Sequence, residues 1–415
     1  MSSATHARTA APRQPSRTGS FGPVRLHQLV LVEAAAAVLV VAWTVDSLLL
    51  VPAGVVALVL VLIAVLRRRQ QPFTDWLVSI SALRARQRLA KEPAPAGLDP
   101  SLAPAVECDP ALRTYAYLSR DRREIGMIGD GTFLTAVLQV QSNDAPLRPM
   151  RDKRPLPLAL LHDALDVDGI RLESVQVVQH AQPAPAPHLP EQAAAARSYA
   201  PLQEQAGAPA VRLTWVALKL HPELCPEAVR ARGGGLEGAQ RCLLRSVDQL
   251  ASRLTGAGFT ARALAEGELA TAIATSACVN PNATTQAGRA STPARRTAET
   301  SRAWRCDDRW HTTYWVGRWP QVGTGAVPLP QLVALLTSMP ALASTFSLTL
   351  TRGEGGPDTS TVNGHIRVTG RNDTDLITAR KALERAARGV RVGLVRLDRE
   401  QLPGVLATLP LGGTR

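Results

Sequence analysis

Two long apolar runs stand near the start of the chain, Leu26 to Val45 and Leu48 to Leu66, with Asp46-Ser47 between them. The second run has 19 residues and no charge; the first has 20 and one acid, Glu33. A helix rises ~1.5 Å per residue and the hydrocarbon core of a bilayer is roughly 30 Å thick, so the pattern predicts two transmembrane helices. Asp46-Ser47 suits a helix N-cap, and so short a turn makes an antiparallel hairpin with both outer ends on one side. Beyond Pro72, the positions Phe73, Trp76, Leu77, Ile80 and Leu83 repeat at helical spacing, followed by Arg84, Arg86 and Arg88. This predicts an amphipathic helix that lies on a membrane surface, docks on a partner or faces a core.

The pattern changes further on. Residues 92–107 are rich in proline and alanine and read as a linker. Two β-type runs, Glu124 to Ile128 and Phe133 to Val140, flank Gly129-Asp130-Gly131, a strong hairpin signal. Further strands are expected over 170–179, 211–220, 259–264, 310–319, 344–351, 362–369 and 390–397. Helices are expected over 156–165, 236–254, 266–277, 329–339 and 373–388. Strands and helices mix without strict alternation, which predicts an α+β or mixed α/β body. Residues 181–209, with four closely spaced prolines and a run of alanines, read as a flexible insertion, and 280–300 as a second loop. The expected organisation is thus a disordered basic tail (1–25), two transmembrane helices (26–66), an amphipathic helix with its linker (72–107) and a cytosolic mixed-sheet domain (108–415).

Charge fixes the expected orientation. Arg8, Arg13, Arg17 and Arg25 precede the first run, Arg67-Arg68-Arg69 follow the second, and the turn has no base. The positive-inside rule then places both termini and the main domain in the cytosol of a cell with this protein in its plasma membrane. A cleaved signal peptide fits poorly, because there are two runs and neither leads to a small-residue cleavage site. The formal net charge of +13 is explained in part by anionic lipid; no nucleic-acid-binding motif accompanies it. Glu33 lies about two turns inside the first run, where it is either an interfacial residue or a polar contact to a partner helix.

Little in the chain suggests catalysis. The five cysteines are widely spaced and odd in number, as in a reducing compartment. Neither cysteines nor histidines show a metal-binding spacing, and no metal or cofactor is expected. Gly233-Gly234-Gly235 precedes a helix but lacks the lysine and hydroxyl of a phosphate loop. Asp307-Asp308 is the one candidate ligand pair, of the kind that holds a metal-nucleotide in sugar transferases; Arg302, Arg305 and Arg309 beside it favour a salt-bridged surface. The stretch Trp304 to Pro320 is unusually aromatic. On a strand, Trp310, Thr312, Tyr314 and Val316 face one way and His311, Thr313, Trp315 and Gly317 the other. Core packing is one reading; an aromatic docking surface including Trp319 is the other.

Two of these stretches carry a resemblance. "RTYAYLSRDRREIGMIGDGTFLTAVLQV", Arg113 to Val140, and "HTTYWVGRWP", His311 to Pro320, are similar to the EccE family, a membrane component of the actinobacterial type VII (ESX) secretion system. The plan of basic tail, hairpin and α+β body resembles that family along nearly the whole chain. The resemblance implies a structural, non-catalytic subunit of an inner-membrane secretion complex. It implies the other Ecc membrane components and the bilayer as partners, and a body like a degenerate glycosyltransferase. A membrane-tethered enzyme of glycosyltransferase type is the alternative. The candidate partner contacts are Glu33, Phe73, Trp76, Leu77, Ile80, Trp310, Tyr314, Trp315 and Trp319.

Overall fold

A computed structural model of the chain describes residues 20–21, 24–45, 50–65, 67–68, 71–91, 99–142, 155–182, 193–194, 197–198, 211–290, 294–320, 327–353 and 359–413. The chain divides into two compact units, one built on residues 13–91 and one on residues 92–415.

The first unit holds three helices, α1 (Leu26–Val45), α2 (Leu50–Val65) and α3 (Phe73–Leu89). α1 and α2 pack on each other. Among the residues of this pair whose side chains are described, the buried ones are alanines: Ala35 and Ala42 on α1, Ala53 and Ala57 on α2. Their spacing of seven and of four puts each pair on one helix face. Val40, Val41, Trp43, Val51, Val55, Val56 and Leu58 are exposed. A hairpin folded by the hydrophobic effect would bury its large apolar side chains; these seven are turned outward. Among the described residues, no helix is long and apolar enough to cross a membrane. The two full spans expected from the sequence are therefore not found: α2 has 16 residues, about 24 Å of helix against a core of roughly 30 Å.

The second unit is built on one antiparallel sheet with twelve strands among the described residues, in line with the expected α+β class. In chain order they are β1 (Arg113–Leu118), β2 (Glu124–Gly129), β3 (Leu134–Ser142), β4 (Ser174–Gln182), β5 (Val211–Leu220) and β6 (Phe259–Ala263). Then come β7 (Thr297–Glu299), β8 (Trp304–Cys306), β9 (Arg309–Arg318), β10 (Ala343–Arg352), β11 (Ser360–Gly370) and β12 (Gly393–Arg396). The spatial order is β7-β8-β9-β11-β10-β4-β5-β3-β2-β1, with β6 also pairing β3 and β12 also pairing β9. The Asp-Gly hairpin forms as the sequence predicts. Gly131 has φ +91°, and Asp130 Oδ1 accepts from the Thr132 and Phe133 N–H groups, so the turn satisfies itself.

Helices cover the sheet: α4 (Ala103–Cys108), α5 (Leu158–Asp163), α6 (Pro226–Ala231), α7 (Gly235–Gly256), α8 (Glu266–Ser276), α9 (Pro281–Arg289), α10 (Leu329–Thr337), α11 (Asp373–Gly389) and α12 (Gln401–Leu406). α4 lies in the stretch expected as linker, and α9 with β7 in the stretch expected as loop. At α9, Asn280 accepts from the Asn282 N–H as N-cap and Pro281 holds the first position, a start signal that outweighs the polar composition. The proline-rich stretch 181–209 falls almost wholly outside the described residues, as do residues 1–19.

The two faces of the sheet differ in chemistry. Leu134, Leu138, Val216, Leu218, Phe346, Leu348, Ile366, Val368, Tyr314 and Val316 form one apolar face packed with α7, α10 and α11. The opposite face is as deeply buried but carries Gln176, His180, His311, Thr313, Thr345, Ser347, Thr349, His365, Arg367 and Thr369. It is covered by residues 401–413, every one of them buried. Side chains of the sheet bind the main chain of this segment. Gln176 donates from Nε2 to the Ala407 carbonyl (2.9 Å) and accepts the Gly412 N–H at Oε1 (2.8 Å). Thr135 and Ser174 hydroxyls donate to the Leu411 and Gly412 carbonyls, and the Ser276 hydroxyl to Thr408. The Thr313 N–H donates to Gln401 Oε1 (2.8 Å). Leu402, Val405, Leu406, Leu409 and Leu411 supply the apolar part, with Trp215, Val178 and α4 and α8 residues. Arg367, fully buried, donates from Nη2 to the Ser276 carbonyl.

Three histidines on this face are held neutral by burial. His180 is pushed down to about 3 and His365 to about 4, and His311 lies well below its ordinary value, with the nearby Arg367 adding to the effect at His180 and His311. Gln182 Nε2 donates to His180 Nε2, so Nδ1 carries the proton that bonds Thr345 Oγ1 (2.9 Å). The folded state thus binds fewer protons than the unfolded chain once the pH falls below about 6.5, and stability falls with pH from there down to the folded values. From pH 6.5 to 5.5 each histidine removes roughly 1 kcal/mol. Thermal melts followed by near-UV circular dichroism at those two pH values should show a clear loss; an unchanged melting temperature would mean that the three imidazoles charge freely inside the fold.

Candidate functional site

The aromatic strand β9 is mostly interior. Tyr314 is buried on the apolar face. Its hydroxyl donates to Glu384 Oε1 (2.6 Å) and accepts from Arg380 Nε (3.2 Å), both on α11. Burial and the Glu384 carboxylate hold the phenol protonated, far above its usual range. Trp310 and Trp319 pack half-buried on the same apolar cluster. Trp319 lies flat on Gly364, where any Cβ would stand 2.6 Å from its ring. Trp315 points to the other face and packs over Gly317. Trp304 is fully buried, tilted against the His311 ring at 4.9 Å. Trp310 and Trp319 therefore share one face, Trp315 is on the other, and Tyr314 is tied into α11.

The acid pair is split by its surroundings. Asp307, at φ +53°, receives Arg296 in a fork: Nε to Oδ1 and Nη2 to Oδ2, both 2.8 Å. Oδ2 also accepts the Asn280 N–H. The rest of the Arg296 guanidinium donates to the Pro100 carbonyl and the Thr284 hydroxyl. Next to this pair, the buried Glu107 carboxylate of α4 accepts from the N–H groups of Arg296 and Thr297 and from the Thr297 hydroxyl. The cluster joins α4, α9, β7 and β8. Asp308 is more open. It accepts from Asn280 Nδ2 and Arg309 Nε, and these bonds together with the guanidinium charge hold its carboxyl below the usual range against a partial desolvation. Of the arginines flagged in the sequence only Arg309 reaches the pair. Arg296 and Glu107 were not flagged, because nothing in a proline- and alanine-rich context marks a residue for a buried ion pair. Among the described residues no group of three or more His, Cys, Asp or Glu could hold a metal.

Within the first unit, α3 offers a shallow depression of about 500 Å³ lined by Leu77, Val78, Ile80, Ser81, Arg84, Ala85 and Arg88. Leu77 is 48% exposed, Ile80 is half-buried and Leu83 is buried. Phe73 and Trp76 lie on the same helix, with side chains outside the described residues. Glu33 is exposed on α1.

The second unit has a cavity of about 410 Å³ lined by His162, Asp163, Leu165, Asp166, Gln249, Arg253 and Arg352. Each acid is already paired, Asp163 with Arg253 (2.6 Å) and Asp166 with Arg352. It offers polar contacts, with both carboxylates engaged by arginines.

Comparison with known families adds one finding. The family model described as "Putative type VII ESX secretion system translocon, EccE" matches residues 208–316, which supports an EccE-family assignment. That quarter of the chain runs from the start of β5 through α7, α8 and the Arg296–Asp307 cluster to Val316 in β9. Among curated proteins, none matches the chain.

The two acids should behave differently. Asp307→Asn leaves Arg296 buried without its counter-charge and should cost about 3–5 kcal/mol of stability. Asp308→Ala, at a partly exposed position, should cost under about 1 kcal/mol. Chemical denaturation of the two variants measures this; equal losses would contradict the assignment of Asp307 as the structural member.

Proposed function

We propose that this EccE-type chain is a non-catalytic structural subunit of a type VII secretion membrane complex, held in the plasma membrane by α1 and α2 with its body in the cytosol. The observation that carries the reading is the family match over residues 208–316. The acid pair supports the non-catalytic part. Both oxygens of Asp307 are taken by Arg296 and Asp308 is bonded to Asn280 and Arg309, which leaves no vacant carboxylate pair for a metal-nucleotide.

The chemistry of the hairpin supports insertion. Lipid gives apolar side chains no reason to turn inward, so helices in a bilayer pack through small residues and present large ones outward. The buried alanines and exposed valines of α1 and α2 follow that pattern. α2 ends at Val65 and the sequence continues with Arg67-Arg68-Arg69; basic residues beside a short apolar helix are one way a bilayer accommodates it. With Arg8, Arg13, Arg17 and Arg25 at the other end, both ends lie on the cytosolic side. Contacts that distinguish one neighbour from another then come from outside the bilayer, from the α3 face with Phe73, Trp76, Leu77 and Ile80, from half-exposed Trp310, Trp315 and Trp319, and from the body. Glu33 adds a polar contact inside it.

Affinity purification from mild detergent should recover the chain with other membrane components of the secretion complex. Replacing Trp76 and Leu77 by serine should leave membrane insertion intact and reduce recovery of those partners by about tenfold or more, since one buried large side chain contributes roughly 1.5–3 kcal/mol. Undiminished recovery at native expression would remove α3 from the contact. A reporter fused after residue 415 should be active in the cytosol; activity only outside it would overturn the topology.

A further inference from the structure

Among the described residues, the strand β1 is the last of the sheet on its side and pairs only with β2 in the strand order. Its free edge can be read residue by residue. Ala116 lies opposite Gly126, and the Gly126 N–H donates to the Leu264 carbonyl, away from β1. Ala116 and Gly126 are therefore a non-hydrogen-bonded pair. In an antiparallel ladder such pairs alternate with bonded ones, so Arg113, Tyr115 and Tyr117 bond β2, while the N–H and C=O of Thr114, Ala116 and Leu118 point outward. The Ser119 N–H to Arg123 carbonyl bond at the turn fits the same alternation.

Edge strands are normally blunted by proline, a bulge or an inward-pointing charge. β1 has no proline and its register with β2 is unbroken. Tyr115 and Tyr117 pack on the apolar cluster, which holds the strand flat. On the opposite side Ala116 is exposed and Leu118 is 65% exposed. The ends are basic: Arg113 at one, Arg120 and Arg122 at the other, all exposed and none paired with a carboxylate among the described residues. Asp121 and Glu124 are the exposed acids at this end, Glu124 accepting from the Glu266 N–H; Arg123 is already paired with Asp248.

We propose that the free edge of β1 is a docking site for an extended segment of another protein, added as a further antiparallel strand, with small apolar residues facing Ala116 and Leu118 and acidic residues at its two ends. The main chain of Thr114, Ala116 and Leu118 supplies the ladder bonds, and Arg113, Arg120 and Arg122 select the acidic ends. This deepens the subunit reading by giving the chemistry of one partner and rests on that reading for where the partner comes from.

The test uses the full chain in mild detergent and two fluorescent peptides of alternating valine and threonine, one capped by glutamates at both ends and one by lysines. The glutamate peptide should bind, more weakly as salt rises, and the lysine peptide should not. Ala116→Pro removes an outward N–H that the β1–β2 ladder does not use, a substitution an edge strand tolerates; it should weaken binding about tenfold with the melting temperature unchanged. The exposed double change Arg120→Glu with Arg122→Glu should move the preference towards the lysine peptide. Failure of the wild-type chain to bind the glutamate peptide, or equal binding by Ala116→Pro, overturns the proposal. Purification of the secretion complex separates the two claims. If the chain recovers no membrane partner yet binds the glutamate peptide in the predicted way, the subunit reading falls and the edge stands. If it recovers its partners equally well with and without Ala116→Pro and binds no peptide, the edge falls and the subunit reading stands.

Discussion

The body depends on the carboxamide of Gln176. From near the start of β4 it donates to the Ala407 carbonyl and accepts the Gly412 N–H, bonding the main chain of the buried segment at two points. A polar group buried without a partner costs about 1–3 kcal/mol, and this face of the sheet is lined with such groups. A helix with an apolar stripe could not cover it, because its own carbonyls and N–H groups are bonded internally. The segment after α12 has main-chain groups to spare, and each hydroxyl or amide that meets one resolves two unsatisfied groups at once.

The same requirement explains a second group of buried charges. Arg296, Asp307 and Glu107 lie where α4, α9, β7 and β8 meet, and their nitrogens and oxygens bond each other and nearby main chain. Such a pair adds little net stability against an apolar alternative, and losing one member costs much. Its effect is to fix which segments meet. The sheet is therefore closed on both faces and locked at one end, and the cavity beside α5 carries acids already neutralised by arginines. Among the described residues, the β1 edge and the half-exposed tryptophans of the body, and separately the α3 face of the first unit, are the apolar features left in part open to solvent.

Local signals were legible wherever a few adjacent residues settle the matter. The Gly129-Asp130-Gly131 turn, the antiparallel pair β10–β11, the helices α7 and α11 and the alternation along β9 follow from turn chemistry and from periods of 2 and 3.6, which a window of ten residues contains. The two-sided burial of the aromatic strand was legible for the same reason. The α+β class came from the order of those elements, and the EccE resemblance from short stretches on β1–β3 and β9.

Tertiary structure alone decided the rest. The leucines of the run after Gln401 mark it as apolar but not which surface it covers, because that is set by side chains over two hundred residues away on β4. Arg296 as the partner of Asp307, rather than the nearer Arg302 or Arg305, depends on how β7 meets β8. The open edge of β1 depends on where the strand order ends. The sequence by itself determined most of the segments that form helices and strands, with α4, α9, β1 and β7 among the exceptions, and which of their faces are apolar, since those are short-range properties of the backbone and its side chains. Which polar groups meet, which edge stays bare and which acid is spent on structure were decided by long-range contacts, because a hydrogen bond across the sheet leaves no periodic trace in the chain.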